Sequence, residues 1–363
     1  MVNNPVLSTR LTRLWDIDVP IIGAPMAGRS GGELAAAVSR AGGLGMFGVG
    51  GNTTAQWVKD NARIAREGTR PTARAEHDAA HRILRPTESG EKHNEQGSVD
   101  AVAEPHGNFG IGVMLWSIKD KPEVWQAVLD ARPKVVSLGF GDPTGYAQQA
   151  QEYGISVVVP VNDIEQVRQA VAAEVDAICI QGTDAGGHTG HIGTMPLMQQ
   201  VLDYLMLNAP GIPTAVAGGI CSGRGVAAAL AAGADAAWIG TALLASPEAL
   251  GSEELRAAAI KASSKQTLLT DIYDRAEQQA WDTEKWPTRT VANGFTDVYA
   301  EMSRNGEVTD EELIVARAPG GDFADDIKLH AGQGIGMLVQ QQAAGDVVNK
   351  FAAEATRLLR REL

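Results

Sequence analysis

The sequence predicts an α/β fold: a (β/α)8 TIM barrel with a smaller, mainly helical C-terminal domain or lid. Three observations carry this. Short β-branched runs alternate with Ala-rich amphipathic segments eight times between residues 19 and 262. The alternation stops at residue 263, where polar, helix-forming sequence containing Trp281 and Trp286 takes over. Composition is ordinary for a globular chain of 363 residues, at 44% hydrophobic and 21% charged. An open doubly wound sheet would show the same alternation, because strand order is not written in one sequence.

The strands are expected at VPIIGAPM (19–26), GLGMFG (43–48), NFGIGVML (108–115), KVVSLGF (134–140), ISVVVPV (155–161), VDAICIQ (175–181), IPTAVAGG (212–219) and DAAWIG (235–240). Helices are expected over GELAAAVSRA, from Thr54 as an N-cap, from near Pro122, and soon after Ser222. Ser246-Pro247-Glu248 reads as a further helix start, an N-cap followed by proline at the first helical position. Residues 225–245 are apolar enough to raise the question of a membrane span. Gly233, Asp235 and Gly240 break them into helix, turn, strand and turn. The expected division is a barrel over 1–262 carrying a polar insertion at 66–106, a smaller helical domain over 263–330, and a stretch 331–363, helical from Asp346, that packs back on the barrel. The insertion holds His77, His81, His93 and His106. His77 and His81 have metal-compatible i, i+4 spacing, yet no Cys or HExxH pattern accompanies them, so a solvated loop and no metal are expected.

The net charge of −13 argues against nucleic acid and anionic membranes as partners. An anion site must then rely on local donors. Cys179 and Cys221 lie far apart, each in an apolar or Gly-rich run, which speaks against a disulfide framework and for a reducing cytoplasmic compartment. The N-terminal stretch MVNNPVLSTRLTRLW lacks the apolar core of a signal peptide.

Glycines mark the candidate chemistry. GLGMFG matches the dinucleotide fingerprint G-x-G-x-x-G, but that fingerprint needs a strand before it and a helix opening directly on it. Here a helix precedes it and the motif itself is strand-like, so it is read as an accident. Gly218-Gly219 and Gly240-Thr241 fall at the C-terminal ends of the seventh and eighth strands, where barrels commonly bind phosphate. Bare backbone there lets N–H groups approach an anion closely. Cys221, with no base near it in sequence, is read as structural. The stretch ICIQGTDAGGHTGH (178–191) leaves the sixth strand. Gln181 would sit at the barrel mouth, able to donate to and accept from a heterocycle edge. Gly186 and Gly187 would leave room for a flat ring, and His188 above it could act as a base or as a donor to a bound anion. His191 is less well placed.

The stretches PIIGAPMAG, AGGLGMFG, QGTDAGGHTG, AVAGGI, DAAWIGTALLA and AGQGIGM (331–337) together resemble the nitronate monooxygenase family, formerly called 2-nitropropane dioxygenases, which are FMN-dependent barrel enzymes. They span nearly the whole chain outside the insertion. The resemblance implies flavin contacts from Ala24, Pro25, Met26, Gln181, Gly186 and Gly187, phosphate contacts from Gly218, Gly219, Gly240 and Thr241, and an active-site histidine at His188. It implies FMN-dependent oxidation of alkyl nitronates with O2 to a carbonyl compound and nitrite. The expected partners are then a small-molecule substrate and O2, with a homodimer as a candidate assembly. Asp184 stands where the family has Asp or Glu. The third strand reads FGIG where the family has FGVN, so Gly112 takes the Asn position and removes an amide near the flavin. GGHTGHIGTMPLMQQV also resembles flavin-dependent enoyl-ACP reductases, and NADH:quinone reductases share the architecture. An NAD(P)H-dependent reductase is therefore the alternative, and a non-catalytic flavin-binding role the third.

Overall fold

Eight parallel strands follow one another around a ring in the computed structural model, which describes residues 7–69 and 107–361. They are β1 (Ile21–Gly23), β2 (Met46–Val49), β3 (Gly107–Met114), β4 (Pro133–Gly139), β5 (Ser156–Val161), β6 (Ala177–Gln181), β8 (Thr214–Ala217) and β9 (Ala236–Ile239); β7 (Gly187–His188) belongs to a second sheet. β1 pairs with β9, and the bridge Ile22↔Leu44 brings β1 to the start of β2. Two backbone hydrogen bonds, Gly23 N to Leu44 O at 2.9 Å and Leu44 N to Ile21 O at 3.0 Å, close the ring there. All eight expected strands are present, and closure decides for the barrel against an open sheet.

Successive residues of each strand face opposite layers. Ile22, Met46, Val135, Val158, Cys179, Ala215 and Trp238 fill the interior, while Ile21, Val136, Ile178 and Val216 pack outward against the helices. Small residues dominate the inward set near β6, β8 and β9, and Leu11 of the short helix Arg10–Leu14 and its C-cap Trp15 join the same cluster. That helix is held by Arg10, whose guanidinium grips Asp235 through Nε (2.9 Å) and Nη2 (2.6 Å). Asp235 also accepts from Thr214 N at 2.9 Å. The acid that interrupts the apolar run 225–245 is thus a buried brace. That run folds as the helix Gly223–Ala231, a turn, β9 and the 3-10 turn Thr241–Leu243, and no helix among the described residues is long and apolar enough to cross a membrane.

The expected helix starts at Thr54 and Ser222 are real caps: their hydroxyls accept from Trp57 N and Gly225 N. Ser246-Pro247-Glu248 is not a helix start. Ser246 Oγ is buried without a partner, Glu248 accepts from Ala344 N at 3.1 Å, and the helix begins only at Glu253, capped by Ser252. The reason is that the outer position after β9 is taken. The terminal helix Ala344–Leu359 packs between the helices Gly223–Ala231 and Gly32–Arg40, and Glu354 accepts from Gly223 N at 2.9 Å. The barrel's eighth outer helix is supplied from the end of the chain.

Residues 263–330 hold the helices Ile272–Ala276, Gly294–Asn305 and Asp310–Arg317 around their own cluster of Ile272, Tyr273, Phe295, Val308 and Leu313. They also hold two strands that the helical reading missed, β10 (Thr267–Thr270) and β11 (Thr288–Val291). β11 pairs antiparallel with both β10 and β7, so Thr288 lies opposite His188 and Arg289 opposite Gly187. β11 is short and bounded by Pro287, and its alternation was too brief to stand out against polar surroundings. Residues 66–68 continue the helix Ala55–Gly68; His77, His81, His93 and His106 lie outside the described residues.

Candidate active site

The C-terminal ends of the strands bring the expected site residues together. Gly240 leaves β9 beside the turn Ala24-Pro25-Met26 that leaves β1: a Cβ on Gly240 would lie 3.2 Å from Ala24 Cβ and 3.4 Å from Met26 Sδ. Gly218 and Gly219 leave β8 with φ of +107° and +73°, a left-handed region that side chains resist. A Cβ on Gly218 would strike Thr194 Oγ1 at 2.4 Å, whereas one on Gly219 would meet only Asp184 Cβ, at 3.4 Å. Gly219 therefore borders open space. No acceptor among the described residues takes the N–H of Gly219 or Gly240. Thr194 Oγ1, next to Gly218, is buried and also lacks a partner. Uncovered amide donors on bare turns at the barrel mouth fit a phosphate.

The stretch 331–337 ties these turns together. Gly332 N donates to Thr241 Oγ1 at 2.9 Å, Gln333 N donates to Asp184 O at 2.9 Å, and a Cβ on Gly334 would strike Cys221 Sγ at 2.4 Å. Burial pushes the Cys221 thiol up to about 12, against a weaker pull from the Ala242 N–H, and Cys179 is raised further by burial alone. Both cysteines are free and buried, and neither is a thiolate nucleophile at neutral pH. The GLGMFG glycines pack on protein backbone: added Cβ atoms would meet Ile21 O, Ala35 O and Pro25 O at 2.5, 1.9 and 2.4 Å.

Gly186 and Gly187 turn out to differ. A Cβ on Gly186 would meet the Ala331–Gly332 backbone at 2.5 Å, so that glycine serves close packing. Gly187, at φ +74°, would carry a Cβ into open space, as room for a ring requires. Gln181 has its amide engaged: Nε2 donates to His188 O at 3.2 Å, and Asn162 Nδ2 donates to its Oε1 at 3.2 Å. It braces the histidine's backbone. Gly112 is explained by Pro25, whose ring lies 2.2 Å from where a Cβ would stand. An Asn there cannot fit while Pro25 keeps its place.

His188 sits on β7 with its side chain only 11% exposed. Its Nε2 lies 3.0 Å from Oδ2 of Asp274, itself 5% exposed. The indole of Trp281 stacks on the imidazole, Phe140 stands edge-on to both, and Trp286 stands edge-on to Phe140. Phe140 follows β4 directly at φ +61°, a backbone conformation that costs free energy for an aromatic residue. Trp286 Nε1 donates to Asn162 Oδ1 at 3.1 Å. Arg289, nearly buried, donates through Nε to Thr183 O at 2.6 Å; burial lowers its pKa and Asp184 opposes the shift. His330 lies with its ring centroid 6.4 Å from that of His188. Dense surroundings push its pKa down to about 3, with Lys328 and His188 adding repulsion, although part of the residue still meets solvent. His191 is bonded to Glu284 O at 2.7 Å on the exposed rim.

Asp274, Phe140, Asn162, Arg289 and His330 carry no local sequence signal. Asp274, Arg289 and His330 reach the site from the smaller lobe through pairing or packing, whereas Phe140 and Asn162 stand just past β4 and β5 at the barrel mouth.

A parallel barrel with bare glycine turns at one mouth and a largely shielded histidine above them is a barrel whose mouth can hold a phosphate-bearing cofactor. The chain belongs to the nitronate monooxygenase family, whose profile matches residues 8–354. A nitronate monooxygenase of Paraburkholderia phytofirmans is 32% identical over 307 residues, covering 80% of this chain and 78% of that one. Among solved structures, FabK from Thermotoga maritima matches with a TM-score of 0.74 and 26% identity over 98% of both chains. A nitroalkane oxidase from Streptomyces ansochromogenes matches with 0.72 and 27%, over 97% of this chain and 99% of that one. The protein is a flavin-dependent oxidoreductase.

Proposed function

We propose that the chain binds FMN and oxidises alkyl nitronates with O2 to a carbonyl compound and nitrite. The observation that carries this is the placement of His188, whose ring is shielded from bulk water beside turns that leave backbone donors uncovered. Gly218, Gly219, Gly240 and Thr241 would hold the phosphate; Ala24, Pro25, Met26 and Gly187 would border the ring, with Gly186 and Gln181 supporting them. One such cradle suits one phosphate, which favours FMN over FAD. Bound there, FMN supplies a two-electron acceptor that O2 restores.

The chain's own contribution is orientation and charge. His188 can donate to the oxygens of a bound nitronate, or take a proton from carbon when a neutral nitroalkane arrives. Residues 263–330 act as a lid: β11 fixes the backbone of His188, Trp281 covers its ring, and Trp286 backs Phe140 beside it. Small-molecule substrate and O2 are the partners, and two buried free thiols suit a cytoplasmic setting.

The likeness to Thermotoga FabK favours a second reading, reduction by NAD(P)H on the same cofactor. Anaerobic mixing of the holoenzyme with propyl nitronate, NADH or NADPH, followed by flavin absorbance, separates the two. Bleaching by nitronate supports the proposal; bleaching by a nicotinamide alone overturns it.

A further inference from the structure

The buried contact between lobes has a consequence for how His188 works. Asp274 comes from the short helix Ile272–Ala276, which follows β10 in the smaller lobe. Its carboxylate is buried, and among the described residues its only side-chain partner is the imidazole of His188, at 3.0 Å. A buried carboxylate needs a hydrogen-bond donor. A buried His–Asp pair, though, adds little net stability over apolar packing, so the fold itself does not require one.

The pair does fix which nitrogen carries hydrogen. An ionised carboxylate only accepts, so the hydrogen between the two groups sits on Nε2 of His188. Nδ1, on the other flank of the ring, makes no hydrogen bond among the described residues. Stacking on Trp281 at 3.4 Å and the bond from Gln181 to His188 O hold the ring and its backbone in place. In the neutral state Nδ1 therefore presents a lone pair, and in the cation it presents N–H.

We infer that Asp274 is a positioning residue that sets the tautomer of His188, so that Nδ1 is the atom that deprotonates a neutral nitroalkane and then holds the resulting anion. The C–H bond breaks, its proton forms Nδ1–H, and the electron pair delocalises into the nitro group to give the nitronate. The imidazolium that results keeps its Nε2–H on Asp274, which stabilises it while it donates through Nδ1. The same arrangement orients second-nitrogen partners of working histidines in general. This inference rests on the proposed nitroalkane and nitronate chemistry of the site.

The test uses the FMN-loaded holoenzyme and two readouts. Long-range 1H–15N spectra of histidine-labelled protein, with the His188 signals assigned by their loss in His188→Asn, report the tautomer directly. Wild type should show Nε2–H. Asp274→Asn, whose amide can donate to Nε2, should shift His188 toward Nδ1–H, and Asp274→Glu should restore Nε2–H in part. Anaerobic flavin reduction by neutral nitroethane should fall about 10²-fold in Asp274→Asn, while reduction by preformed ethyl nitronate falls less than about tenfold. Asp274→Leu serves if the amide variant misfolds, and should give the same kinetic split. An unchanged tautomer in Asp274→Asn, or equal losses with both substrate forms, would overturn the inference. If His188→Asn is impaired with neutral nitroethane while Asp274→Asn is not, only the role of Asp274 fails. If His188→Asn matches wild type with both forms, or wild type reacts with neither, the proposed chemistry itself fails.

Discussion

The indole of Trp281 lies flat on the imidazole of His188, with ring centroids 3.4 Å apart and planes inclined by 10°. Ninety-odd residues of chain separate them in sequence, yet they meet because β11 joins the smaller lobe to the loop after β6. Trp281 also stands edge-on to Phe140 and Trp116, at 4.9 and 5.0 Å. The ring of His188 is thus held by a face, an edge and one hydrogen bond.

Removing that face should loosen the imidazole without touching the cofactor turns. Aromatic pairs of this kind are worth about 0.5–1.5 kcal/mol beyond area burial. Trp281→Leu should retain flavin and its visible spectrum while its limiting rate of anaerobic reduction by nitronate falls about tenfold. Stopped-flow absorbance measures this. A wild-type rate would mean that the indole covers the histidine without orienting it.

Gly219 tests the cradle. Its left-handed φ costs a substituted side chain about 1–2 kcal/mol, and the Cβ would otherwise meet only Asp184 at 3.4 Å. Gly219→Val should therefore fold but release FMN at least tenfold more readily, about 1.4 kcal/mol weaker. Equilibrium dialysis with FMN gives the affinity, and mass spectrometry of the chromophore released from wild type should show FMN. Unchanged affinity would place the phosphate elsewhere, and FAD would contradict the single cradle.

His330 gives a pH dependence with a definite sign. Burial, with help from Lys328 and His188, lowers its pKa from the ordinary 6.5 to about 3. Between those values the unfolded chain takes up a proton that the folded chain refuses. Stability is thus fully present above about pH 6.5 and declines as pH falls toward 3. His330→Asn removes this contribution, so its Tm should fall less steeply than wild type from pH 7.5 to 5. Parallel melting curves would show that the ring is protonated readily in the folded state.

The barrel was legible in the sequence because its strands are buried on both faces and its helices are amphipathic, so period and composition both mark them. The turns at Gly218–Gly219 and Gly240–Thr241 were legible because βα turns at one mouth need bare backbone, and bare backbone is written as glycine; Ala24, Pro25 and Met26 carry no such mark and were named only through the family resemblance. The helix proposed at Ser246 failed because a local cap signal cannot report that the terminal helix already fills the neighbouring place. β10 and β11 were missed because each is four residues long and takes its register from a partner distant in sequence. Asp274 was invisible for the same reason: only the β7–β11 pairing brings its short helix to His188.

The most direct test of the account removes the imidazole and keeps its shape and polarity. His188→Asn should bind FMN with a normal spectrum. Under anaerobic conditions its flavin should be reduced about 10²–10⁴-fold more slowly than wild type by neutral nitropropane, with a smaller loss for preformed propyl nitronate, which needs no deprotonation. Reduction at the wild-type rate with both forms would contradict the central role given to His188.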